Sequence, residues 1–246
     1  MPVPKGSVMT SLGRVGLSLI VASLLPVAAR SQAPDVVREP ASDVAFPVRL
    51  SPPGSTGEHV LAGTAIRTKT IFRIKVYAFG LYVDADAARR TLGLYRGVPA
   101  DQLARDGGIY GRLLDLRVPM TLRLVMTRDV GGKTVADSFD DALLPRVRRA
   151  AADRAMPGGE AALATFRGFF NLDEVARGTE IVFSCDTDGH LRTTVTGEPR
   201  PEVASMGLCW ALFDVYLGNK PVSSDARKAI IARLPQILNG PGGRAP

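Results

Sequence analysis

The sequence has few of the residues from which most catalytic and metal sites are built. Its 246 residues include two cysteines and two histidines. His59 and His190 stand in loop-like surroundings, without the spacing of a metal site. There is no Ser/His/Asp set and no glycine-rich phosphate loop in the pattern of residues. We therefore predict no metal centre and no cofactor, and we assign no catalytic residue.

Long apolar runs are also lacking, because nothing after the N-terminal segment approaches the roughly 20 residues that span a bilayer. The segment itself carries Lys5 and Arg14, has no acid before its apolar run at 15–29, and ends in small residues. This pattern is typical of a cleavable signal peptide. We predict that residues 1–29 are such a signal, cut after Ala29, and that the protein is periplasmic or secreted. An uncleaved anchor helix is the alternative.

Positive charge is in excess but not concentrated. The formal net charge is +7, and the basic residues are scattered along the chain. A nucleic-acid-binding surface requires a dense basic stripe with aromatic residues between the charges. We predict no nucleic-acid partner.

The two cysteines, Cys185 and Cys209, each lie inside an apolar stretch. A disulfide is possible in an exported protein. Buried free cysteine is, however, a common packing residue. The sequence favours two free cysteines and leaves the disulfide open as an alternative.

The mature chain reads as one domain. Residues 30–46 are rich in Pro, Ser, Asp and Ala and predict a flexible lead-in, which a domain at 47–240 follows. Apolar periodicity within that domain predicts strands and helices. The predicted strands are 60–84, 113–126, 179–185 and 190–196, and the predicted helices are 133–155, 203–217 and 224–238. Strands followed by helices and hairpins indicate an α+β fold with an antiparallel sheet.

Alternation gives the strand at 71–83 two different faces. The face that carries Ala78 and Gly80 is apolar and reads as core. The face that carries Tyr77 mixes charged, aromatic and apolar residues, so it is either partly wet or lines a cleft. Gly80 indicates a bulge or the close approach of another group.

Several blocks of the sequence together resemble the chalcone isomerase family. The blocks are Leu61–Arg67, Lys75–Tyr82, Gly189–Gly197, Pro201–Val203 and Ala211–Gly218. Their order fits from about residue 46 to residue 238. The resemblance implies a large curved antiparallel β-sheet packed against a layer of α-helices, with a ligand cleft between them. Some members close a chalcone into a flavanone, others bind fatty acids without chemistry, and exported bacterial relatives form a third group, which the predicted signal favours here.

The resemblance also implies a binding site. Arg67 matches an arginine that stabilises substrate charge in the isomerases and pairs with the carboxylate in the fatty-acid binders, and a guanidinium suits both roles. Tyr77 stands where the isomerases carry threonine and the binders carry tyrosine. Cys209 falls near a substrate-contacting Ser/Thr position, and we interpret it mainly as a packing residue that is a weaker third candidate for the cleft.

The isomerases carry a catalytic tyrosine just after the second long strand, and residues 127–139 contain none. Lys133 or Thr134 is nearest to that position, and neither replaces a phenol. The favoured function is therefore non-catalytic binding of a fatty acid or a similar amphipathic carboxylate. One alternative is an isomerase of the intramolecular lyase type, with Arg67 as electrophilic stabiliser. The other is an envelope interaction module with a vestigial cleft, which an apolar patch on the outer sheet face or a very narrow cleft would favour.

Overall fold

A computed structural model describes residues 1–3, 6, 35–55, 57–69 and 74–240. Contacts divide the chain into residues 1–33 and residues 34–246, and the description below concerns the second unit. The predicted signal peptide and the start of the predicted lead-in lie almost wholly outside the described residues. Within the described part of the chain, none of the helices combines the length and hydrophobicity that crossing a bilayer requires.

The predicted α+β class is confirmed. The strands are β1 (Val36–Arg38), β2 (Ala45–Pro47), β3 (Arg49–Leu50), β4 (His59–Lys69), β5 (Ile74–Asp84), β6 (Met120–Met126), β7 (Val130–Gly131), β8 (Glu174–Val175), β9 (Glu180–Cys185), β10 (His190–Val195), β11 (Glu198–Pro199) and β12 (Val203–Ala204). The helices are α1 (Ala85–Thr91), α2 (Ala100–Arg105), α3 (Gly107–Leu114), α4 (Gly132–Arg154), α5 (Gly159–Arg167), α6 (Met206–Leu217), α7 (Ser224–Ala229) and α8 (Leu234–Asn239).

A curled antiparallel sheet forms the centre of the described structure. Its strand order is β11-β10-β9-β6-β5-β4-β3, and β12 also pairs with β10. Register places apolar residues side by side across the strands, as in the row Leu81, Leu122 and Phe183. These residues belong to the main core, which α4 and α6 complete. The face of β5 that carries Tyr77 therefore belongs to the main core, which corrects the prediction that the face with Ala78 and Gly80 is the core face.

The opposite face of the sheet carries a smaller cluster. Phe46 is fully buried there against Leu61, Ala78 and Tyr82. Gly80 permits this packing, because a Cβ there would lie 2.9 Å from the Phe46 ring. The close approach that Gly80 indicated is thus confirmed.

The hairpin of β1 and β2, which carries Phe46, corrects the predicted lead-in. Residues 36–38 pair with residues 45–47 as two strands rather than a flexible segment, because burying one phenylalanine on the sheet helps offset the entropy of ordering a short segment. The folded unit therefore begins before residue 47.

Four predicted elements have different bounds in the structure. The strand predicted at 60–84 is the pair of strands β4 and β5, and the helix predicted at 203–217 begins at Met206, after the short strand β12. The strand predicted at 113–126 begins at Met120, because Asp106 caps a helix that occupies residues 107–114. The helix predicted at 224–238 is two short helices, and the turn between them donates the Arg233 amide to the carbonyl of Ala62 in β4. The cap at Asp106 decided where the strand begins, and the hydrogen bond of Arg233 decided where the C-terminal helix is interrupted. The helix predicted at 133–155 is confirmed as α4.

Three buried polar side chains, from β4, β6 and β9, form a hydrogen-bonded row in the sheet. His59 is 2% exposed, and its Nδ1 lies 2.9 Å from Thr121 Oγ1. Thr121 in turn donates to Ser184 Oγ at 3.1 Å. Burial lowers the pKa of His59 from 6.5 to about 4, and the nearby carboxylate of Asp84 opposes part of that shift.

Acid is expected to destabilise the protein through His59. Since the folded-state pKa is depressed, the unfolded chain binds a proton that the folded chain does not, so this contribution is fully present above about pH 6.5 and is lost toward pH 4. The loss amounts to about 1.4 kcal/mol per pH unit. Urea unfolding of wild type and His59→Gln between pH 7 and pH 5 measures it. Wild type should lose more stability than the variant, and parallel losses would contradict the assignment.

The two cysteines form a disulfide, which corrects the interpretation of free packed thiols. Cys185 in β9 and Cys209 in α6 have Cα atoms 6.0 Å apart. The apolar residues beside each cysteine in the sequence bury the disulfide. The same residues would also bury two free thiols, so the sequence could not distinguish the two alternatives. The bridge ties α6 to the sheet.

Loss of this bridge is expected to lower the free energy of unfolding by about 3 kcal/mol, because it closes a loop with a sequence separation of 24 residues. The Cys185→Ala/Cys209→Ala double variant, unfolded in urea under oxidising conditions, provides the measurement. Reductant should destabilise wild type by a similar amount and leave the variant unchanged. A reductant effect on the variant would point to another cause.

Candidate functional site: a cavity between the sheet and helices α4 and α6

A cavity of about 660 Å³ lies between the sheet and helices α4 and α6. This volume falls within the range of small-molecule binding sites. Most of its lining is apolar: Ile74, Val76, Leu124, Met126, Val130, Val135, Phe139, Ala142, Ile181, Leu212, Val215 and Val222. The cleft is therefore neither absent nor closed by side chains.

Helical spacing explains which residues of the two helices reach the cavity. Val135, Phe139 and Ala142 are four and three residues apart on α4, so they share one face. Leu212 and Tyr216 are one turn apart on α6 in the same way. The cavity is thus lined by one stripe of each helix and by the core face of the sheet.

Arg67 and Tyr77 are directly opposite each other in the pairing of β4 and β5. Side chains opposite each other across a strand pair share a face of the sheet. The register shifts immediately beyond this pair, which leaves Val76 without a partner and places Val76 and Tyr77 on the same wall. Such a bulge redirects side chains locally. The structure therefore brings both predicted residues into one cavity.

The guanidinium of Arg67 is held by main-chain carbonyls. Its Nη1 donates to the oxygens of Thr68 and Val222, each at 3.0 Å. Among the described residues, no carboxylate lies within 4 Å of it. A guanidinium has five N–H donors, so most of its donor capacity is available to a ligand.

Tyr77 meets a second tyrosine on the opposite wall. Its hydroxyl lies 3.0 Å from that of Tyr216 in α6. Burial raises the pKa of both phenols, and the adjacent Tyr77 raises the pKa of Tyr216 further, while the positive charge of Arg67 acts in the opposite direction on both. Both phenols are therefore neutral near pH 7. One proton serves the Tyr77–Tyr216 bond, and the other hydroxyl hydrogen can be donated to a bound oxygen.

Tyr216 is the site residue that sequence reasoning did not single out. It lies in the Ala211–Gly218 block and is, with Asp214, one of two strongly polar side chains near the end of an apolar helix. A tyrosine buried in such a helix needs a hydrogen-bond partner. Its presence in an apolar helix was therefore the sequence feature that could have marked Tyr216 as a site residue.

A buried ion pair fixes α6 against α4 beside this tyrosine. The carboxylate of Asp214 accepts a hydrogen bond from Arg146 Nε at 3.0 Å and another from Arg149. Arg146 also donates to the carbonyls of Ala142 and Lys220. The pair therefore sets the distance between the two helical walls of the cavity.

The mouth of the cavity carries charges of both signs. Lys69, Arg128, Asp129 and Asp141 are exposed lining residues. Lys69 donates to Ser138 Oγ at 2.9 Å and so joins β4 to α4. These charged residues of the lining therefore lie at the mouth, while most of the interior is apolar.

The third predicted site residue, Cys209, does not line the cavity. It is fully buried in the disulfide with Cys185. Of the two residues nearest the missing tyrosine, Thr134 lines the cavity, whereas Lys133 pairs with Asp137 at the surface. Across the described residues, no three His, Cys, Asp or Glu side chains come together as a metal site.

Comparisons with known proteins agree with this architecture. A family model described as chalcone isomerase like matches residues 99–231. The chain is 36% identical over 207 residues to fatty-acid-binding protein 2 of Arabidopsis thaliana, covering 81% of this chain and 51% of that protein. It is 28% identical over 206 residues to a chalcone–flavanone isomerase of Hordeum vulgare, covering 80% of this chain and 88% of that protein.

A crystal structure of a fatty-acid binding protein from Arabidopsis thaliana has the same fold. The TM-score is 0.70 at 23% identity, and the match covers 84% of this chain and 100% of that chain. The present chain spans about half the length of fatty-acid-binding protein 2. Since the family model matches more than half of its residues, the chain belongs to the chalcone isomerase-like family.

Proposed function

We propose that this protein binds a fatty acid, or a similar amphipathic carboxylate, in the cavity between sheet and helices, without converting it. One observation carries the proposal. Arg67, which has no carboxylate partner among the described residues, lies beside the Tyr77–Tyr216 pair on the wall of a cavity whose remaining charged residues are exposed at its mouth.

The chemistry of this wall suits a carboxylate. A cation withdrawn from water is costly unless an anion pairs with it. A carboxylate accepts two parallel N–H bonds from a guanidinium, and a neutral phenol adds an O–H donor. The apolar lining then buries the chain of the ligand, at about 0.8 kcal/mol for each methylene.

The similarity to two fatty-acid-binding proteins supports this choice. Besides fatty-acid-binding protein 2, the chain is 24% identical over 212 residues to fatty-acid-binding protein 1 of Arabidopsis thaliana, covering 73% of that protein. Those names describe the relatives, and binding of a fatty acid by this chain is the proposal.

Isomerisation of a chalcone-like enone is the second candidate, because chalcone–flavanone isomerases are also relatives. Arg67 would then stabilise the developing negative charge. Two features speak against it. Residues 127–139, which include the cavity residue Thr134, contain no tyrosine where the isomerases carry a catalytic one, and Tyr77 on the cavity wall stands where the isomerases carry threonine.

We also propose that the protein works in an oxidising compartment outside the cytoplasm, after removal of residues 1–29. The Cys185–Cys209 disulfide supports this, since disulfides persist in such compartments. N-terminal sequencing of the protein from its native host should give a mature chain that begins at Arg30. An intact N-terminus at Met1 would overturn the export proposal.

Calorimetric titration of delipidated protein with dodecanoate and with dodecanol tests the binding proposal. The two ligands share a chain and differ in the charged head. Dodecanoate should bind at least about tenfold more tightly, since a charge-assisted hydrogen bond contributes about 1.5–3 kcal/mol. Equal affinities would overturn the role of Arg67 as a carboxylate partner. Turnover of a hydroxychalcone, followed by loss of its visible absorbance, would favour the second candidate.

A further inference from the structure

A second cavity, of about 620 Å³, lies among helices α3, α4, α6 and α7. It shares no lining residue with the cavity of Arg67. Its charged lining consists of Arg149, Arg154, Arg227, Asp153 and Asp214. We define these residues, together with Trp210 and Tyr110, as the arginine cleft.

Aromatic rings hold the three arginines in place. The guanidinium carbons of Arg149 and Arg154 lie 5.0 and 4.9 Å from the ring centroid of Trp210. The guanidinium of Arg227 lies 3.7 Å from the centroid of Tyr110. These separations are within cation–π range. Side chains that are already ordered lose less entropy when a ligand binds.

The positive charges of the arginine cleft are unequally compensated. Arg149 is paired with the buried Asp214, which it shares with Arg146. Arg154 reaches only Asp115, at 3.8 Å. Arg227 donates its Nε to the carbonyl of Leu217 at 2.8 Å, and among the described residues no carboxylate lies within 4 Å of it. Two guanidinium groups on facing helices are thus left with donor capacity.

Trp210 is the aromatic ring that Arg149 and Arg154 share in the arginine cleft. The residue is 3% exposed, and its buried indole Nε1 has no hydrogen-bond partner in the described structure. A buried N–H group without an acceptor costs about 1–3 kcal/mol. The N–H is buried away from the cleft, and the ring is the part of Trp210 that packs against Arg149 and Arg154.

We propose that the arginine cleft binds a phosphate group through Arg154 and Arg227, beside the ring of Trp210. A phosphate offers several oxygens and up to two charges, so it can satisfy guanidinium groups that arrive from different helices. Of the two acids that line the cleft, Asp214 is neutralised by Arg146 and Arg149, and Asp153 is exposed. The phosphate is either the free ion or the headgroup of an anionic phospholipid.

The emission of Trp210 reports on this cleft, because it is the single tryptophan of the chain. The protein is titrated with inorganic phosphate, with vesicles of phosphatidylglycerol and with vesicles of phosphatidylcholine, all at constant ionic strength set with chloride. A saturable change with phosphate, or with phosphatidylglycerol but not phosphatidylcholine, supports the proposal and names the source. No saturable change with any of them overturns it.

Arg154→Gln/Arg227→Gln is the test variant, and Arg148→Gln is its matched control. Arg148 lies on the same helix but pairs with Glu160 outside the cleft. The test variant should lose at least about tenfold in affinity, and the control should match wild type. Equal affinity in all three proteins overturns the proposal. If the double variant does not fold, Arg154→Gln alone, whose side chain is 35% exposed, is used in its place. Dodecanoate affinity should not change in either variant, so the two proposals fail separately.

Discussion

Arg67→Gln is expected to weaken dodecanoate binding by about 10- to 100-fold and to leave dodecanol binding nearly unchanged. The variant removes the charge that no described carboxylate neutralises, and it keeps a polar side chain with N–H donors. Loss of a hydrogen bond to a charged group costs about 1.5–3 kcal/mol, which corresponds to this range of affinity. Calorimetric titration with both ligands measures it.

Lys69→Gln is the matched control, because Lys69 is also a cation on β4 but lies exposed at the mouth. Its effect on dodecanoate affinity should stay within about twofold, since exposed charges contribute little. Tyr216→Phe should give an intermediate loss, because it removes one of the two phenol hydroxyls. If Arg67→Gln weakens both ligands equally, Arg67 supports the wall of the cavity and does not contact a carboxylate.

Gly132→Ala is expected to lower the free energy of unfolding by about 3 to 5 kcal/mol. Gly132 opens α4, and its amide donates to the carbonyl of Asp173 at 3.1 Å. A Cβ at this position would collide with the carbonyl oxygen of Leu172 and would lie 2.7 Å from its carbonyl carbon and 3.0 Å from the oxygen of Phe170. These atoms are main chain and cannot rotate away, so the β7–β8 pairing beside the cavity would have to separate.

Gly111→Ala is the control for helix propensity. Gly111 lies inside α3, and nothing is within 4 Å of a Cβ built there. Alanine should therefore stabilise the protein by about 0.5–1 kcal/mol. Urea unfolding of the two variants beside wild type measures both effects. A stability loss below about 1 kcal/mol in Gly132→Ala would mean that the segment at residues 170–172 yields easily.

Helix α6 illustrates how far residue patterns reach. An apolar run closed by Gly218 predicts a helix, and a helix that is apolar on all sides is buried. Both expectations agree with α6, whose described residues are nearly all buried. Because no side of such a helix is polar, its sequence does not tell which residues face which neighbour. The structure turns Tyr216 to the first cavity and Trp210 to the arginine cleft.

The cysteines show a second limit. Apolar neighbours are expected both for a packed thiol and for a buried disulfide, so the two readings have the same local sequence. Distance decides between them, and the 6.0 Å separation of the Cα atoms of Cys185 and Cys209 depends on how α6 docks on β9. The same docking removes Cys209 from the candidate ligand site.

By itself, the sequence determined the α+β class, the long helix α4, the hairpin of β9 and β10, and Arg67 and Tyr77 as candidate site residues. Periodicity and turn chemistry are local, and a family resemblance follows aligned residues, so both can be read along the chain. Only the tertiary structure decided that a bulge places Arg67, Val76 and Tyr77 on one wall, that Tyr216 meets Tyr77, and that the cysteines are joined. These are contacts between residues up to 139 positions apart, and they arise from register and packing, which no local pattern encodes.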